Sequence, residues 1–213
     1  MNVEQRILTR ASALFGKYGV KSVSMDDIAG ELGISKKTIY QYYANKAELV
    51  HAFSQAFFNH ESLVASELNQ QAENAVHALI LAIHQMQDTF KDISPQLIYQ
   101  IQKYYPESWG LFEHFKQSIM LPLVKQNLEE GINQGYYRRD IHIDIVARMR
   151  VSQMELGLRQ ELYPYKSYDP REVQLELFRM YMYGIVTEKG RQQLFKYLES
   201  HPEDEAFLHI KSQ

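Results

Sequence analysis

The chain of 213 residues contains no cysteine, which excludes disulfide bonds and thiolate metal sites. It has no apolar run near the roughly 20 residues that a membrane-spanning helix needs, so no membrane partner is expected. Its first residues lack a basic segment followed by an apolar one, so we do not expect a secretory signal. These absences predict a cytoplasmic protein.

The sequence also lacks the patterns that common catalytic sites require. It has no H-E-x-x-H motif and no paired E-x-x-H motif for zinc or a di-iron centre. It has no G-x-S-x-G nucleophile motif, and its ten glycines are dispersed instead of forming a phosphate-binding loop. We therefore expect no enzymatic activity, no metal and no cofactor. A helical enzyme is a remote alternative.

Helical periodicity is present along nearly the whole chain. Apolar residues recur at three- and four-residue steps, and they predict helices at 3–18, 46–68, 75–93, 95–104, 107–134, 144–162, 170–188 and 191–199. Two segments, 20–24 and 141–145, alternate as strands do, but both are too short to build a sheet. The predicted fold class is all-α.

Charge is unevenly distributed along the chain. The net charge is −3, yet residues 1–50 hold seven Lys/Arg against five Asp/Glu, and the remainder carries the acidic excess. The segment 34-ISKKTIYQYYANK-46 contains three lysines and three tyrosines and no acid. A basic module on an acidic body indicates a nucleic-acid partner for the first 50 residues.

Residues 24–43 have the pattern of two helices joined by a tight turn. Ser24 and Asp27 form a shortened capping box, Gly33 suits a left-handed turn, and Ser35 caps the second helix. Apolar positions on both sides of the turn predict a small shared core: Ile28, Ala29, Leu32, Ile34, Ile39 and Tyr43. This is the helix-turn-helix arrangement, whose second helix enters the DNA major groove.

Three side chains of the second helix are candidates for reading bases. Lys36 and Lys37 open the helix, at the end that reaches base edges in such motifs, and a lysine there can donate to guanine. Gln41 lies one turn later and can read adenine. We predict base contacts for these three residues.

Five further side chains are candidates for phosphate contacts. Thr38 and Tyr42 share a helix face and offer hydroxyl groups, and Ser35 lies at the helix start. Lys46 opens the next helix, where its ammonium and free backbone N–H groups can face one phosphate. Tyr40 is equally suited to packing on the scaffold.

The first 50 residues resemble a known family. Residues 5–50, through 24-SMDDIAGELGIS-35 and 36-KKTIYQYYANKAELV-50, look like the DNA-binding domain of TetR-family transcriptional regulators. The segment 131-GINQGYYRRDIHID-144 is similar to a turn that many members carry before their dimerising helices. The resemblance implies backbone contacts by residues 38, 40, 42 and 46, and base reading by residues 36, 37 and 41.

The resemblance also implies a domain organisation and a function. We predict a helix-turn-helix DNA-binding domain at residues 1–47 and a larger helical effector-binding and dimerisation domain at residues 48–213. The implied function is a homodimeric repressor that a small, largely apolar effector releases from a palindromic operator in double-stranded DNA. The alternative is a DNA-binding architectural or protein-interaction regulator without an effector.

The larger half offers two candidate sets, and a core role is open for each. Aromatic and flexible side chains that could line an effector pocket are Tyr99, Tyr105, Trp109, Phe112, Met120, Met149 and Gln153, with Arg148 and Arg150 available for a polar head group. The stripe that could form a dimer face comprises Val173, Leu177, Met180, Tyr181 and Gly184, facing Ile145, Met149, Ser152 and Leu156 on the preceding helix.

Overall fold

The computed structural model describes residues 1–91 and 93–200, and this part of the chain is almost entirely helical. The elements are α1 (Val3–Tyr18), α2 (Met25–Leu32), α3 (Lys36–Tyr40), α4 (Lys46–Gln71), α5 (Ala75–Lys91), α6 (Pro95–Tyr104), α7 (Pro106–Phe115), a π-helical turn (Lys116–Met120), α8 (Leu121–Asn133), α9 (Ile143–Leu156), α10 (Pro170–Ile185) and α11 (Glu188–Ser200). Within the described residues there is no strand, and β pairing is limited to an isolated bridge between Tyr137 and Val186. The predicted all-α class is confirmed.

The chain forms two compact units. The first comprises residues 1–63 and 88–115, and the second comprises residues 64–87 and the chain from residue 116 onward. Helix α4 runs without interruption through the predicted domain boundary after residue 47, so that boundary stays a prediction. Among the described helices, not one combines the length and apolar composition that crossing a bilayer requires.

Tyr137 lies at the centre of the second unit. Its side chain is fully buried, and its hydroxyl lies 2.8 Å from the Ala75 carbonyl oxygen and 3.0 Å from Asn127 Oδ1. Burial raises the pKa of Tyr137 well above its usual value, so the phenol stays neutral. The Asn127 amide donates to the same Ala75 carbonyl at 2.9 Å, which ties α8 to the start of α5.

Helices α8 and α9 are also joined by ionic contacts. Asp144, in the first turn of α9, pairs with Lys125 of α8 and with Arg148 one turn later. Hydrogen bonds from Lys125 and then Arg148 lower the pKa of Asp144 from 3.8 to about 2. The carboxylate therefore stays charged over a wide pH range.

Two predicted helices are shorter or less regular in the structure. The helix predicted at 107–134 is divided by the π-helical turn, because Pro122 has no N–H group to continue the α-helical hydrogen bonds. The helix predicted at 144–162 ends at Leu156, where Gln174 Nε2 donates to the Met154 carbonyl at 2.7 Å. At Gly157 an added Cβ would lie 2.6 Å from that Gln174 nitrogen, so a larger residue would displace the Gln174 side chain from this position.

Candidate nucleic-acid interface

The turn between α2 and α3 is built from the local signals that the sequence predicts. Ser24 Oγ accepts from the Asp27 N–H at 3.1 Å, and the Asp27 carboxylate accepts from the Ser24 N–H at 2.7 Å, which lowers the pKa of Asp27. Gly33 ends α2 in the left-handed conformation (φ 64°, ψ 32°). Ser35 Oγ accepts from the Thr38 N–H at 3.1 Å and starts α3. The predicted helix-turn-helix geometry is confirmed.

A shared core fixes the angle at which α3 is presented. Ile28 and Ile39 are fully buried in one core cluster with residues of α1, and Ala29 and Tyr43 are only 5% and 4% exposed. The small Ala29 side chain lets α2 and α3 cross closely. Because these residues turn inward, the opposite surface of α3 faces outward.

Helix α3 is shorter than the sequence pattern suggests. It ends at Tyr40, and Gln41 follows as a cap with a helical backbone conformation. The N–H groups of Tyr42 and Tyr43 both donate to the Ile39 carbonyl at 3.0 Å. The turn therefore continues in near-helical geometry, and Gln41 keeps its position one turn after Lys37.

Four predicted DNA-contacting side chains are exposed and available. We call Lys37, Tyr40, Gln41 and Tyr42 the α3 surface. None of them has a side-chain hydrogen bond or ion pair with any residue of 1–91 or 93–200. Tyr40 is 43% exposed and Tyr42 is 40% exposed. Exposed phenols beside a free ammonium are suited to phosphate oxygens and base edges.

Three other predicted contacts, Lys36, Thr38 and Ser35, are engaged within the chain. Lys36 Nζ lies 2.7 Å from Asp26 Oδ2, and this hydrogen bond raises the pKa of Lys36. Thr38 Oγ1 lies 2.8 Å from Ser35 Oγ. Lys36 must leave Asp26 or share its ammonium before it can contact DNA. The sequence segment 34–46 contains no acid, but the fold places one beside it.

Lys46 is partly withdrawn from solvent at the start of α4. Its ammonium donates to the Val20 carbonyl at 2.6 Å, and burial lowers its pKa. An ammonium has three hydrogens, so this bond leaves donors for a phosphate. Asn45 Oδ1 accepts from the Glu48 N–H at 2.9 Å, as in a capping box. The Glu48 carboxylate accepts from the Ala44 N–H at 2.6 Å, one residue before the Asn45 N–H that a capping box uses. These two bonds orient the start of α4.

The comparison with known families decides the identity of this module. Residues 7–53 match the family described as bacterial regulatory proteins of the tetR family. This DNA-binding module is of the TetR-family type. The chain is a DNA-binding transcriptional regulator, and the helix-turn-helix described above is its DNA-binding element.

Relatives and solved structures extend the similarity beyond this element. The chain is 24% identical over 168 residues to an uncharacterized HTH-type regulator, YvaF, of Bacillus subtilis, covering 77% of this chain and 85% of that one. It is 27% identical over 152 residues to the transcriptional repressor KstR2 of Mycobacterium tuberculosis, covering 67% and 72%. The SmeT repressor of Stenotrophomonas maltophilia has the same fold, with a TM-score of 0.65 at 17% identity over 88% of this chain and 92% of that one.

The predicted pocket residues are divided between the two units. Tyr99, Tyr105, Trp109 and Phe112 belong to the first unit, and Met120, Met149 and Gln153 belong to the second. Tyr105 packs against the helix-turn-helix core, and Phe112 is 8% exposed. Met149 is 45% exposed, which places it on the surface of its unit. A pocket lined by these residues stays a prediction.

The predicted dimer stripe is split between core and surface. Val173 and Tyr181 are 8% and 2% exposed, so both are core residues of the second unit. Met180 is 65% exposed, Gly184 is exposed, and Leu177 is half-buried. The stripe contains Met180 and Tyr181, which are adjacent on α10 and therefore differ by about 100° in direction. Of the stripe, only the exposed residues Met180 and Gly184 are fully available for contact with a second copy.

A continuous set of aromatic contacts in the first unit was only partly visible in the sequence. Ring centroids lie 5.9 Å apart in Phe15–Phe53, 6.3 Å in Phe53–Phe57, 5.1 Å in Phe57–Phe58, 5.8 Å in Phe58–Phe112 and 4.8 Å in Trp109–Phe112. The residues of α4 in this aromatic series have helical spacing, but spacing cannot show that α7 supplies their partners. The series connects α7 to the core beneath α1.

Proposed function

We propose that this chain acts in the cytoplasm as a homodimeric repressor that a small, largely apolar effector releases from a palindromic operator. The observation that carries the proposal is the α3 surface, where exposed lysine, glutamine and tyrosine side chains project without partners among the described residues. Lys37 and Gln41 read bases, and Tyr40, Tyr42 and Lys46 hold phosphates. The name of the relative KstR2, a transcriptional repressor, supports repression over activation.

We expect dimerisation because a single copy binds DNA with modest affinity. Lys36 is paired with Asp26, and Arg10 of α1 is paired with Glu31, so two cations near the module are already compensated. Few phosphate contacts per half-site give modest affinity. Joining two half-site readers makes the second contact intramolecular and multiplies the affinity.

An exposed apolar strip on α9 and α10 is the candidate face for this dimer. Ile145 and Met149 of α9 are 62% and 45% exposed, and Met180 and Tyr183 of α10 are 65% and 46% exposed. We call these four residues the dimer strip. Side chains of this kind are usually covered when they cluster, and two antiparallel copies of a helix pair can form a four-helix interface. We therefore assign Met149 to the dimer strip instead of the pocket.

Effector control is supported by contacts between α6 and the helix-turn-helix module inside the first unit. The Ser94 N–H donates to the Gly16 carbonyl at 2.9 Å, and the Lys21 N–H donates to Gln100 Oε1 at 2.8 Å. The Lys21 ammonium lies 3.9 Å from the centroid of the Tyr104 ring. A ligand that displaced α6 would therefore pull on the loop between α1 and α2, which carries the module.

The first experiment is selection of bound duplexes from a random DNA library. The protein is refolded from denaturant beforehand, so that no co-purified effector weakens binding. We expect an enriched palindrome whose half-sites are spaced by about 34 Å or a multiple of one DNA turn. Absence of any enrichment at low salt, where phosphate contacts are strongest, would contradict DNA reading by the α3 surface.

Two matched variants separate the roles of the α3 surface. Tyr42→Phe removes one hydroxyl and should weaken binding to all duplexes equally, leaving the enriched sequence unchanged. Gln41→Ala should instead relax the preference at one base position in each half-site. If both variants change only affinity, Gln41 does not read a base.

Effector control is tested separately with a panel of apolar compounds. Compounds that raise the melting temperature bind the folded protein and should weaken its complex with the selected duplex. Gln100→Ala removes the side-chain link to Lys21, so this variant should keep the thermal stabilisation and lose part of the release. A panel that stabilises the protein without affecting the duplex would favour the alternative regulator without an effector.

A further inference from the structure

The second unit contains a buried arginine without an acidic partner in the part of the chain that the structure describes. Arg150 of α9 is 9% exposed, and its Nη1 has no hydrogen-bond partner. Its guanidinium carbon lies 4.9 Å from the ring centroid of Phe178 and 5.6 Å from that of Tyr181. Burial lowers the pKa of Arg150 to about 10, so it is charged at neutral pH. A buried charge is costly unless another group compensates it.

Two further polar atoms near this arginine are also buried and unpartnered among the described residues. They are Tyr181 Oη, on a ring that the guanidinium contacts, and Gln153 Oε1, three residues after Arg150 on the same side of α9. Lys116, another buried cation, has an acidic partner, because its Nζ lies 2.6 Å from Glu155 Oε2. Of the buried side-chain atoms without a hydrogen-bond partner among the described residues, all those in the second unit belong to this cluster, and the others belong to Arg10, His51 and Ser54 of the first unit.

We propose that Arg150, Gln153 and Tyr181 bind a single carboxylate group of the effector. The inference rests on the effector control proposed above and adds the chemical class of the ligand. A guanidinium offers paired N–H donors that match the two oxygens of a carboxylate. The Tyr181 hydroxyl can donate to the same group, and the Gln153 amide can turn to present its nitrogen.

Charge balance selects a monocarboxylate over a phosphate ester. One guanidinium compensates one negative charge, whereas a phosphate carries about 1.5 to 2 and would leave an excess in an apolar surrounding. The Phe178 ring beneath the guanidinium favours a carbon skeleton next to the charged end. The ligand class is an apolar molecule that ends in one carboxylate.

The first test asks whether Arg150 is uncompensated in the ligand-free protein. Arg150→Met keeps the length of the side chain and removes the charge, so the melting temperature should rise. Arg148→Met is the matched control, because Arg148 is exposed on the same helix and paired with Asp144. A melting temperature of Arg150→Met below that of Arg148→Met would show that Arg150 is a structural group and would overturn the proposal.

The second test measures binding of named probes by calorimetry. Hexanoate, octanoate, decanoate and 3-phenylpropanoate are each compared with the alcohol of the same skeleton, and octyl phosphate serves as the dianion. At least one carboxylate should bind the natural protein about tenfold more tightly than its alcohol. Arg150→Met should abolish this preference, Tyr181→Phe should reduce it, and Arg148→Met should retain it.

Three results would overturn the proposal. They are equal affinity for every carboxylate and its alcohol, tighter binding of octyl phosphate than of octanoate, and an altered association state of Arg150→Met with unchanged carboxylate binding. The last result would assign Arg150 to a contact between two copies. Release of the selected duplex distinguishes the two levels of inference. A carboxylate that binds through Arg150 without releasing DNA contradicts effector control alone, whereas release by neutral compounds alone contradicts only the carboxylate site.

Discussion

Replacing Gly131 with alanine should destabilise the second unit strongly. Gly131 lies inside α8, and a Cβ on it would meet three ring atoms of Tyr137, lying 2.6 Å from Cγ and still closer to Cδ2 and Cε2. The ring has no free space because Tyr137 is fully buried. Its hydroxyl is also held between Ala75 and Asn127, so a shift of the ring breaks these hydrogen bonds.

The expected change in the free energy of unfolding follows from two destabilising contributions and one stabilising contribution. Overpacking of a tight core costs about 1–3 kcal/mol. Loss of the buried phenol hydrogen bond costs about 1–3 kcal/mol more. Alanine is a better helix former than glycine by about 1 kcal/mol, which offsets part of the loss. The net destabilisation from Gly131→Ala should be about 3 kcal/mol, or a melting temperature lower by roughly 6–12 °C in a chain of this length.

Thermal and urea unfolding followed by circular dichroism, at one fixed protein concentration, measures this change. Gly110→Ala provides the matched control, because Gly110 lies inside α7 and an added Cβ would have nothing within 4 Å. The control should be stabilised by up to about 1 kcal/mol through helix propensity alone. Equal effects of the two substitutions would show that the Gly131 site has room for a methyl group.

A double-mutant cycle decides whether the clash involves Tyr137. In a Tyr137→Ala background the ring is absent, so adding Gly131→Ala should cost nothing or stabilise the protein slightly. If the full cost of Gly131→Ala persists in that background, the ring is not the cause. The reasoning from this packing contact would then be refuted.

Three further predictions concern DNA affinity, acid stability and assembly. Asp26→Asn frees Lys36 and removes a negative charge beside the α3 surface, so DNA affinity should rise and its logarithmic salt dependence should steepen by up to about 0.9, measured by anisotropy titrations. An unchanged slope would contradict this. The pKa of Asp144 is lowered from 3.8 to about 2, so its stabilising contribution is present above pH 3.8 and is lost as the pH falls towards 2. Asp144→Asn should therefore lose less stability than the natural protein over that range in urea unfolding, and parallel losses would argue against the ion pairs. Met180→Glu should shift the protein to monomers in sedimentation and weaken duplex binding, whereas Leu63→Glu, at an equally exposed position, should do neither.

The sequence predicted the DNA-binding module well because its signals act over short distances. The caps at Ser24 and Ser35 each involve a residue three positions later, and Gly33 acts through its own backbone conformation. Burial of Ile28 and Ile39 follows from spacing within two short helices. Every one of these features is fixed by neighbours in the chain, so no knowledge of distant segments was needed.

The larger half was less predictable, because helical periodicity identifies an apolar stripe on a helix but not the surface that the stripe contacts. The stripe on α10 identifies Met180 and Tyr181 together, yet one is 65% exposed and the other 2% exposed. The predicted pocket mixed Tyr105, which packs on the helix-turn-helix core, with Met149, which is exposed. Which side of an amphipathic helix meets the core depends on its neighbours in space, and periodicity does not contain that information.

The sequence alone determined the all-α class, the helix-turn-helix and its family, because these depend on patterns within a few turns of helix. Tertiary structure alone decided which charges are compensated. Asp26 pairs with Lys36 across the turn, and Lys46 bonds a carbonyl 26 residues earlier. Arg150 is buried on aromatic rings, and no acid among the described residues lies beside it. Electrostatic pairing depends on distance in space and on burial, and for these residues both are set by how separate helices pack.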